Sequence, residues 1–364
     1  MRKKILGLYD PYLDVLGGGE KHILSIIKIL ENEYEIHIFW DEDLSNQLSN
    51  RLNIKFKNQP IFKKNIFKSK KNIIEKLKIL KNYEYFFYIT DGSYFLSTAK
   101  KNFVFCMIPD KYLYQMNILN RIKTSNFKFI SNSKFTKDWL VKWNIKSDVI
   151  YPQIDDVFIK SSLNSLKKEK IILSVGRFFK HLHSKRQDLL ISCFEDLKKK
   201  DNRFSDYKLI LAGGVKEEDK KYFSLLEDGY KKDKSIIFKP NISFSMLLEL
   251  YKKSEFFWHI AGFGIDEEKH PELTEHLGMA PLEAMAMGCV TFVYNAGGIK
   301  ETIKDQENGF LFNTIEELIN KSIKVSRNPL LQNMIKNKAK KSIIKNFSFD
   351  SFNKTVNRVV IGKN

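Results

Sequence analysis

Short apolar runs, each bounded by turn residues, recur through the first 150 residues and predict the strands of a parallel sheet. The runs occupy residues 4–9, 35–40, 85–89, 103–107 and 128–131. Between the first two, Ile23, Ile26, Ile27 and Leu30 recur at helical spacing and predict a helix over residues 20–30. Strands that alternate with helices indicate an α/β domain with a parallel sheet.

A second α/β series follows a polar stretch at residues 160–170 that is typical of a linker. Its predicted strands are residues 170–175, 208–211, 235–238, 256–259 and 290–294. The expected architecture is therefore two Rossmann-like, doubly wound domains that face a central cleft, where ligands of such folds bind. We place the N-terminal domain at residues 1–155 and the C-terminal domain at residues 156–346.

Composition narrows the class of protein. The 364 residues suffice for two cores, and 43% hydrophobic residues exclude intrinsic disorder. Cys106, Cys193 and Cys289 are too few and too scattered for a disulfide framework or a cysteine-rich zinc site, which fits a reducing compartment.

The basic N-terminus precedes only a short strand, and no apolar run approaches the roughly 20 residues that span a bilayer. We expect a cytoplasmic protein, with peripheral contact on the inner membrane face as a further option.

The formal net charge of +19 is concentrated in residues 51–81, which contain eleven basic residues and a single acid, Glu75. In this basic segment, one helical stripe is predicted to contain five apolar residues: Phe62, Ile66, Ile73, Leu77 and Leu80. The segment fits either a solvated surface helix or a helix on an anionic membrane. Nucleic acid is the least favoured partner because no nucleic-acid motif accompanies the charge.

Glycines and cations mark two candidate phosphate sites. Gly17, Gly18 and Gly19 follow the first strand, where glycine lets the backbone approach a ligand, but they lack the dinucleotide spacing. In the second half, the strand at residues 170–175 leads into Gly176 and Arg177, and Lys185 precedes a helix. A guanidinium and an ammonium beside a helix N-terminus suit a diphosphate, although both cations could instead be ordinary surface residues.

Two carboxylates flank a predicted turn into a helix. Glu275 lies before the turn and Glu283 lies one helical turn inside, with Gly278 and Pro281 between them. Free backbone N–H groups at this helix start would attract phosphate. One carboxylate could then bind a sugar hydroxyl and the other a ribose.

Taken in order, four elements resemble the retaining glycosyltransferases of family 4, which have the GT-B fold. They are Gly17-Gly18-Gly19-Glu20, Gly176-Arg177 with Lys185, the Glu275 and Glu283 pair, and Gly297-Gly298. The resemblance implies that Arg177 and Lys185 neutralise the donor diphosphate, with Arg186 as the fallback for Lys185. It implies that Glu275 contacts the transferred sugar and Glu283 the ribose. The backbone amides near Gly18 and Gly19, and those of Met279, Ala280, Pro281 and Leu282, would complete the phosphate site. It also implies that residues 347–364 pack back onto the first domain.

Several residues depart from the family pattern or compete with it. Many relatives carry a donor-contacting histidine where this chain has Met107, and Asp110 is the candidate substitute. His259 ends a predicted strand and is either a site residue or a structural histidine. Asp41-Glu42-Asp43 resembles a metal-binding motif but follows a strand in the first half, and His181, His183, His270 and His276 are too loosely spaced for zinc. We expect neither a metal nor a cofactor.

The resemblance implies a metal-independent hexosyltransferase that uses a UDP- or GDP-linked sugar. Its expected acceptor is a glycan or lipid-linked glycan in surface polysaccharide or glycoconjugate synthesis, and the basic segment 51–81 would contact an anionic membrane. The alternative is a non-catalytic GT-B partner subunit that binds glycan or activates another transferase. The sugar, the base, the linkage and the oligomeric state are not encoded in any motif that we identify.

Overall fold

The computed structural model describes residues 3–68, 72–161, 163, 167–180 and 184–363. It divides the chain into two compact units, of which unit 1 comprises Met1–Gln153 with Phe352–Asn364 and unit 2 comprises Ile154–Ser351. The boundary predicted from the sequence lies between residues 155 and 156, with residues 347–364 packing back onto the first domain.

Within its described residues, unit 1 contains a seven-stranded parallel sheet in the order β3-β2-β1-β4-β5-β6-β7. The strands are β1 (Lys4–Tyr9), β2 (Tyr34–Phe39), β3 (Ile61–Lys63), β4 (Tyr85–Ile89), β5 (Lys101–Cys106), β6 (Phe127–Ser131) and β7 (Ser147–Val149). The helices are α1 (Gly18–Ile29), α2 (Ser45–Leu52), α3 (Ile73–Leu80), α4 (Ile118–Lys123) and α5 (Lys134–Lys142). The order of the strands reverses at β1, as in doubly wound folds.

Both faces of the unit 1 sheet are covered, which explains why β4 is buried at every position. One face packs Leu6 and Leu8 against α1, and Phe352 near the C-terminus joins the same core. The opposite face contributes Tyr9 and Phe39 to a second core. The alternation of these residues along β1 and β2 follows from the period of two in a strand.

Unit 2 contains, in its described residues, a six-stranded parallel sheet in the order β10-β9-β8-β11-β12-β13. The strands are β8 (Glu169–Val175), β9 (Lys208–Gly213), β10 (Ile236–Pro240), β11 (Ser254–His259), β12 (Val290–Tyr294) and β13 (Phe310–Phe312). The helices of unit 2 are α6 (Asp156–Ile159), α7 (Gln187–Lys200), α8 (Lys220–Tyr230), α9 (Phe244–Lys253), α10 (Met279–Ala286), α11 (Ile315–Ser326) and α12 (Pro329–Phe347). Helix α13 (Phe349–Val356) begins in unit 2 and continues into unit 1. The predicted fold class of two doubly wound α/β domains is confirmed.

Three sequence predictions are wrong in detail. The apolar stripe of the basic segment does not form one helix, because Ile61–Lys63 pairs with β2 as a strand and the helix begins only at Ile73. The first helix begins at Gly18 rather than Glu20, so Gly18 and Gly19 occupy its first turn. The predicted linker is shortened because Glu169 already belongs to β8. Residues 162 and 164–166 of that linker and residues 69–71 of the basic segment lie outside the described residues.

Every helix in the described ranges is too short or too polar to traverse a bilayer.

Candidate active site

Three side chains that are far apart in the sequence meet in unit 2 around one carboxylate. The Lys185 Nζ lies 2.5 Å from Glu275 Oε2, and His259 Nε2 lies 2.7 Å from the same oxygen. The side chains of Lys185 and Glu275 are only 12% and 13% exposed, and that of His259 is 3% exposed. Charge-assisted hydrogen bonds of this kind are short and directional, so the three groups hold one another in place.

Lys185 reaches Glu275 by lying across the end of β8. A Cβ at Gly176 would come within 2.5 Å of Lys185 Cγ, so only glycine leaves room for this path. The next residue, Arg186, has a φ of 46° in the left-handed region, and α7 starts immediately after it. Gln187 then donates to the carbonyl oxygen of Arg177 at 3.1 Å, which fixes the helix start against the strand end.

Glu275 is positioned by backbone contacts to a glycine pair. The Gly298 N–H donates to the Glu275 carbonyl oxygen at 2.7 Å, and a Cβ at Gly297 would overlap that carbonyl. Gly297 also has a φ of 73°, which favours glycine. The Gly297-Gly298 motif thus holds the backbone that carries the candidate sugar-binding carboxylate.

His259 ends β11, and its ring nitrogen is bonded to Glu275. Burial lowers the pKa of His259, and the hydrogen bond between its ring and the Glu275 carboxylate opposes this shift. The sequence left open whether His259 is structural or part of the site. The structure places it in the same cluster as Lys185.

Arg177 points to other partners. Its Nε and one terminal nitrogen donate to Asp219 Oδ2 at 3.0 and 2.9 Å, and it also bonds Glu218 at 2.9 Å. Its guanidinium lies 5.0 Å from the Phe179 ring centroid. The Lys185 side chain therefore packs on Gly176, the residue next to Arg177 in the chain. The guanidinium of Arg177, the other predicted cation, is bonded to the two acids Asp219 and Glu218.

Glu283 lies in α10 and accepts a hydrogen bond from the Tyr251 hydroxyl at 3.0 Å. Burial raises the pKa of Tyr251 well above its ordinary value, so this hydroxyl remains a donor. Gly278, with a φ of 90°, forms the turn into α10.

The predicted set of four phosphate-binding amides at this helix start is wrong for two of its members. Pro281 has no N–H, and the Leu282 N–H donates to the Gly278 carbonyl oxygen. Met279 and Ala280 occupy the first turn, where amides have no intrahelical acceptor.

In unit 1, Gly19 of the predicted glycine site contacts Met107, the residue that departs from the family pattern. A Cβ at Gly19 would overlap the Met107 sulfur, so Met107 packs directly on the first turn of α1. Gly18 begins that helix. Asp110 accepts a hydrogen bond from the Tyr112 N–H at 2.9 Å and caps a short helical turn.

The remaining candidates have local roles. Arg186, the fallback for Lys185, pairs with Asp188 at 3.2 Å. In the sequence resembling a metal-binding motif, Asp41 accepts from the Asn65 N–H and Asp43 from the Ser45 N–H. The described part of the chain contains no group of three or more histidine, cysteine or acidic residues arranged for a metal ion. His181 and His183 lie outside it.

Asp10, which directly follows β1, is not among the residues predicted from the sequence. Asp10 is 1% exposed, and its Oδ1 accepts the Tyr12 N–H at 2.9 Å while Oδ2 has no hydrogen-bond partner among the described residues. Burial, reinforced by the negative charge of Glu20, raises the pKa of Asp10. Its position directly after a buried strand was the available signal, since carboxyl ends of parallel strands bind ligands in such folds.

The sequence profile of the family described as glycosyl transferases group 1 matches residues 155–342. The chain belongs to this family. The matched region contains Arg177, Lys185, Glu275 and Glu283, and the protein is therefore a glycosyltransferase.

Individual relatives agree with this assignment. A Xenopus tropicalis protein named GDP-Man:Man(3)GlcNAc(2)-PP-Dol alpha-1,2-mannosyltransferase is 24% identical over 86% of this chain and 78% of its own length. An alpha-1,3/1,6-mannosyltransferase of Saccharomyces cerevisiae is 25% identical over 56% of this chain and 48% of its own length.

Solved structures resemble the whole chain. The Anabaena protein Alr3699/HepE, crystallised with UDP and glucose, has a TM-score of 0.70 and 16% identity, with both chains fully covered. A glycosyltransferase from Rickettsia africae has a TM-score of 0.72 and 18% identity, also with full coverage of both chains. These similarities establish the GT-B fold.

Proposed function

We propose that this glycosyltransferase moves a hexose-type sugar from a nucleotide-diphosphate sugar to a lipid-linked glycan, with retention of the anomeric configuration. The observation that carries the proposal is the cluster of Lys185, His259 and Glu275 in the region matched by the family. It places a cation and an oriented carboxylate beside the carboxyl ends of β8 and β11, the sheet edge at which doubly wound domains bind ligands.

In the proposed reaction, the bond between sugar C1 and the diphosphate oxygen breaks, and a bond from C1 to the acceptor hydroxyl oxygen forms on the same face. The nucleoside diphosphate leaves with the bonding electrons, and the acceptor proton passes to the departing phosphate. Lys185 stabilises the charge that develops on that phosphate, and fixed donors of this kind typically contribute a factor of about 10²–10³.

Arg177 is the second cation in this scheme, and it must exchange at least one acidic partner for the donor phosphate. Asp219 holds the guanidinium through two hydrogen bonds, so donor binding competes with this ion pair. Glu275 binds sugar hydroxyls and Glu283 binds the ribose. The amides of Met279 and Ala280 bind the donor phosphate at the start of α10. The positive charge for the leaving group comes from side chains in this scheme, and we propose that no metal and no additional cofactor is needed.

The relatives guide the choice of donor and acceptor. Two names among them specify mannosyl transfer, and one specifies GDP-mannose with a dolichol-linked glycan. We therefore assign GDP-mannose as the first donor to test and a mannosylated lipid-linked glycan as the first acceptor. UDP-glucose is the second donor, because the Anabaena protein with the same fold binds UDP and glucose.

A lipid-linked acceptor lies at a membrane surface, and the basic segment 51–81 supplies the contact. Helix α3 of this segment carries Ile73 and Ile74, which are 55% and 59% exposed, next to lysines. Exposed apolar side chains flanked by cations suit a peripheral association with an anionic inner leaflet.

The donor is tested by thermal unfolding in the presence of GDP, UDP, GDP-mannose and UDP-glucose. A ligand that binds only the folded protein raises the midpoint in proportion to the logarithm of its concentration. We expect GDP and GDP-mannose to shift the midpoint more than the uridine compounds at equal concentration. Equal, negligible shifts with all four would contradict the proposal.

The alternative function, a non-catalytic partner subunit, rests on Met107, which packs on Gly19. The family resemblance implies a histidine at the position of Met107. It predicts that a nucleotide sugar is never turned over, even with acceptor present. Proton NMR of the reaction distinguishes the two functions, because the product anomeric signal also reports retention or inversion.

A further inference from the structure

Lysines of the basic segment 51–81 also line a cavity of unit 1 that has no part in sugar transfer as described above. This cavity of about 810 Å³ opens beside β1, β2 and β3. Its lining includes six lysines and a single acid: Lys3, Lys4, Lys63, Lys64, Lys81, Lys100 and Glu84. We refer to it as the lysine cavity.

In the described part of the chain, the lysines of the lysine cavity outnumber the acidic side chains that pair with them. Glu84 is shared between Lys4, at 3.6 Å, and Lys100, at 2.8 Å. Within the described chain, no acidic side chain pairs with Lys63, Lys64 or Lys81. Like charges gathered around one concave space repel one another, and low-dielectric walls strengthen the field that attracts a counter-ion.

The floor of the cavity is partly apolar. Phe39 and Tyr83 are 2% and 5% exposed and line it together with Ile66. His37 is also in the lining, and its two ring nitrogens bond the Tyr83 hydroxyl at 2.9 Å and Glu35 at 2.8 Å. A partly apolar floor under a cationic rim fits an amphiphilic anion better than a bare ion.

The cavity is also separate from the candidate donor residues of unit 1. The lining includes none of Gly18, Gly19 and Met107. Lys3 and Lys4 lie at the amino end of β1, whereas Lys63 and Phe39 end β3 and β2. A ligand in the lysine cavity therefore contacts different residues from a sugar donor.

We infer that the lysine cavity binds a phosphate group, with Lys63, Lys64 and Lys81 as the anion contacts and the Phe39 and Tyr83 floor beneath the rest of the ligand. The phosphate could belong to the headgroup of an anionic phospholipid or to a soluble phosphate compound. This inference adds a phosphate-binding site to the membrane contact in the proposed function. It rests on that function only for the choice of a lipid as the source of the phosphate.

The test compares two probes and two matched variants. The probes are vesicles of phosphatidylglycerol mixed with phosphatidylcholine, in a sedimentation assay, and inorganic pyrophosphate, in calorimetry. The cavity variant is Lys63→Gln with Lys64→Gln. The control variant, Lys338→Gln with Lys341→Gln, removes the same charge from two exposed positions on α12. Circular dichroism confirms that each variant is folded.

We expect the cavity variant to bind anionic vesicles roughly thirtyfold more weakly than the wild type, because each lysine near such a surface contributes about a factor of five. The control variant should change binding by less than about twofold. Pyrophosphate binding that falls only in the cavity variant would identify a soluble phosphate as an additional source. If pyrophosphate binds at the donor site instead, its affinity should be the same for the cavity variant and the wild type.

Equal weakening in both variants would overturn the inference, because it would show attraction by net charge alone. The inference would also be overturned if the protein bound neither the vesicles nor pyrophosphate. Binding of an RNA oligonucleotide, with no binding of vesicles or pyrophosphate, would overturn it as well. Donor binding is measured separately with GDP-mannose on the wild type. If GDP-mannose binds the wild type but the lysine cavity binds neither vesicles nor pyrophosphate, the proposed transferase function is unaffected.

Discussion

Glu283 and Tyr251 form the clearest single-residue test of nucleotide binding. If Glu283 binds the ribose, Glu283→Ala removes a charged hydrogen-bonding partner, which typically contributes about 1.5–3 kcal/mol. We expect GDP to bind at least tenfold more weakly in calorimetry, with Tyr251→Phe showing a smaller loss because it removes only the orienting hydrogen bond. Glu268→Ala, an exposed acid elsewhere in unit 2, is the matched control. Unchanged GDP affinity in Glu283→Ala would remove Glu283 from the site.

Asp10 should give the protein a pH-dependent stability. Its pKa is raised in the folded state, so the folded protein holds the proton more tightly than the unfolded chain. The stability due to the neutral form is fully present below the unfolded pKa of about 3.9 and is lost as the pH rises through the folded pKa. Asp10→Asn should therefore raise the free energy of unfolding at pH 8 by about 1 kcal/mol or more, and by less at pH 4. An equal gain in urea denaturation at both pH values would contradict this.

At the scale of elements, the turn that contains Gly297 should be intolerant of any side chain. Gly297→Ala combines a left-handed φ with overlap on the Glu275 carbonyl, and the φ alone costs about 1–2 kcal/mol. We expect a loss of roughly 2 kcal/mol or more in the free energy of unfolding, together with reduced activity. Gly229→Ala in α8 is the control, since its Cβ would contact nothing within 4 Å and should stabilise the helix slightly. Similar effects of both substitutions would refute the positioning role.

The strands were predictable because their apolar runs are continuous and bounded by turn residues. Lys4–Tyr9, Tyr85–Ile89 and Val290–Tyr294 have the predicted limits. Ile61–Lys63 was missed because three residues carry too little pattern, and its pairing with β2 is a tertiary contact that overrides a helical spacing. Phe310–Phe312 was missed for the same reason of length.

The sequence predicts which residues form the candidate site, but not the contacts among their side chains. Spacing placed Lys185 and Glu275 near strand and helix ends, and the structure joins them through one carboxylate oxygen. The partner of Arg177 was not predictable, because Asp219 lies 42 residues away and the choice between acids depends on side-chain conformation. The geometry of His259 likewise depends on the strand order of the sheet.

At the scale of the whole molecule, the chain leaves unit 1 and returns to it. Phe352 is 3% exposed and packs in the core of unit 1, with its ring 6.0 Å from that of His22. Phe352→Ala should lower the free energy of unfolding by roughly 3–5 kcal/mol. Phe349→Ala on the same helix, at a position 46% exposed, should have little effect. Hydrogen exchange that is unchanged in β1 of the Phe352→Ala protein would contradict the role of this return segment.

The measurement that tests the central assignment most directly is the rate of GDP release from GDP-mannose with acceptor present, in the wild type and in Lys185→Ala and Glu275→Gln. Lys180→Ala and Glu268→Gln are the matched controls. The account predicts turnover by the wild type and both controls, and a fall of about 10²–10³ in each site variant while circular dichroism shows the fold intact. Site variants that release GDP at the wild-type rate would contradict it.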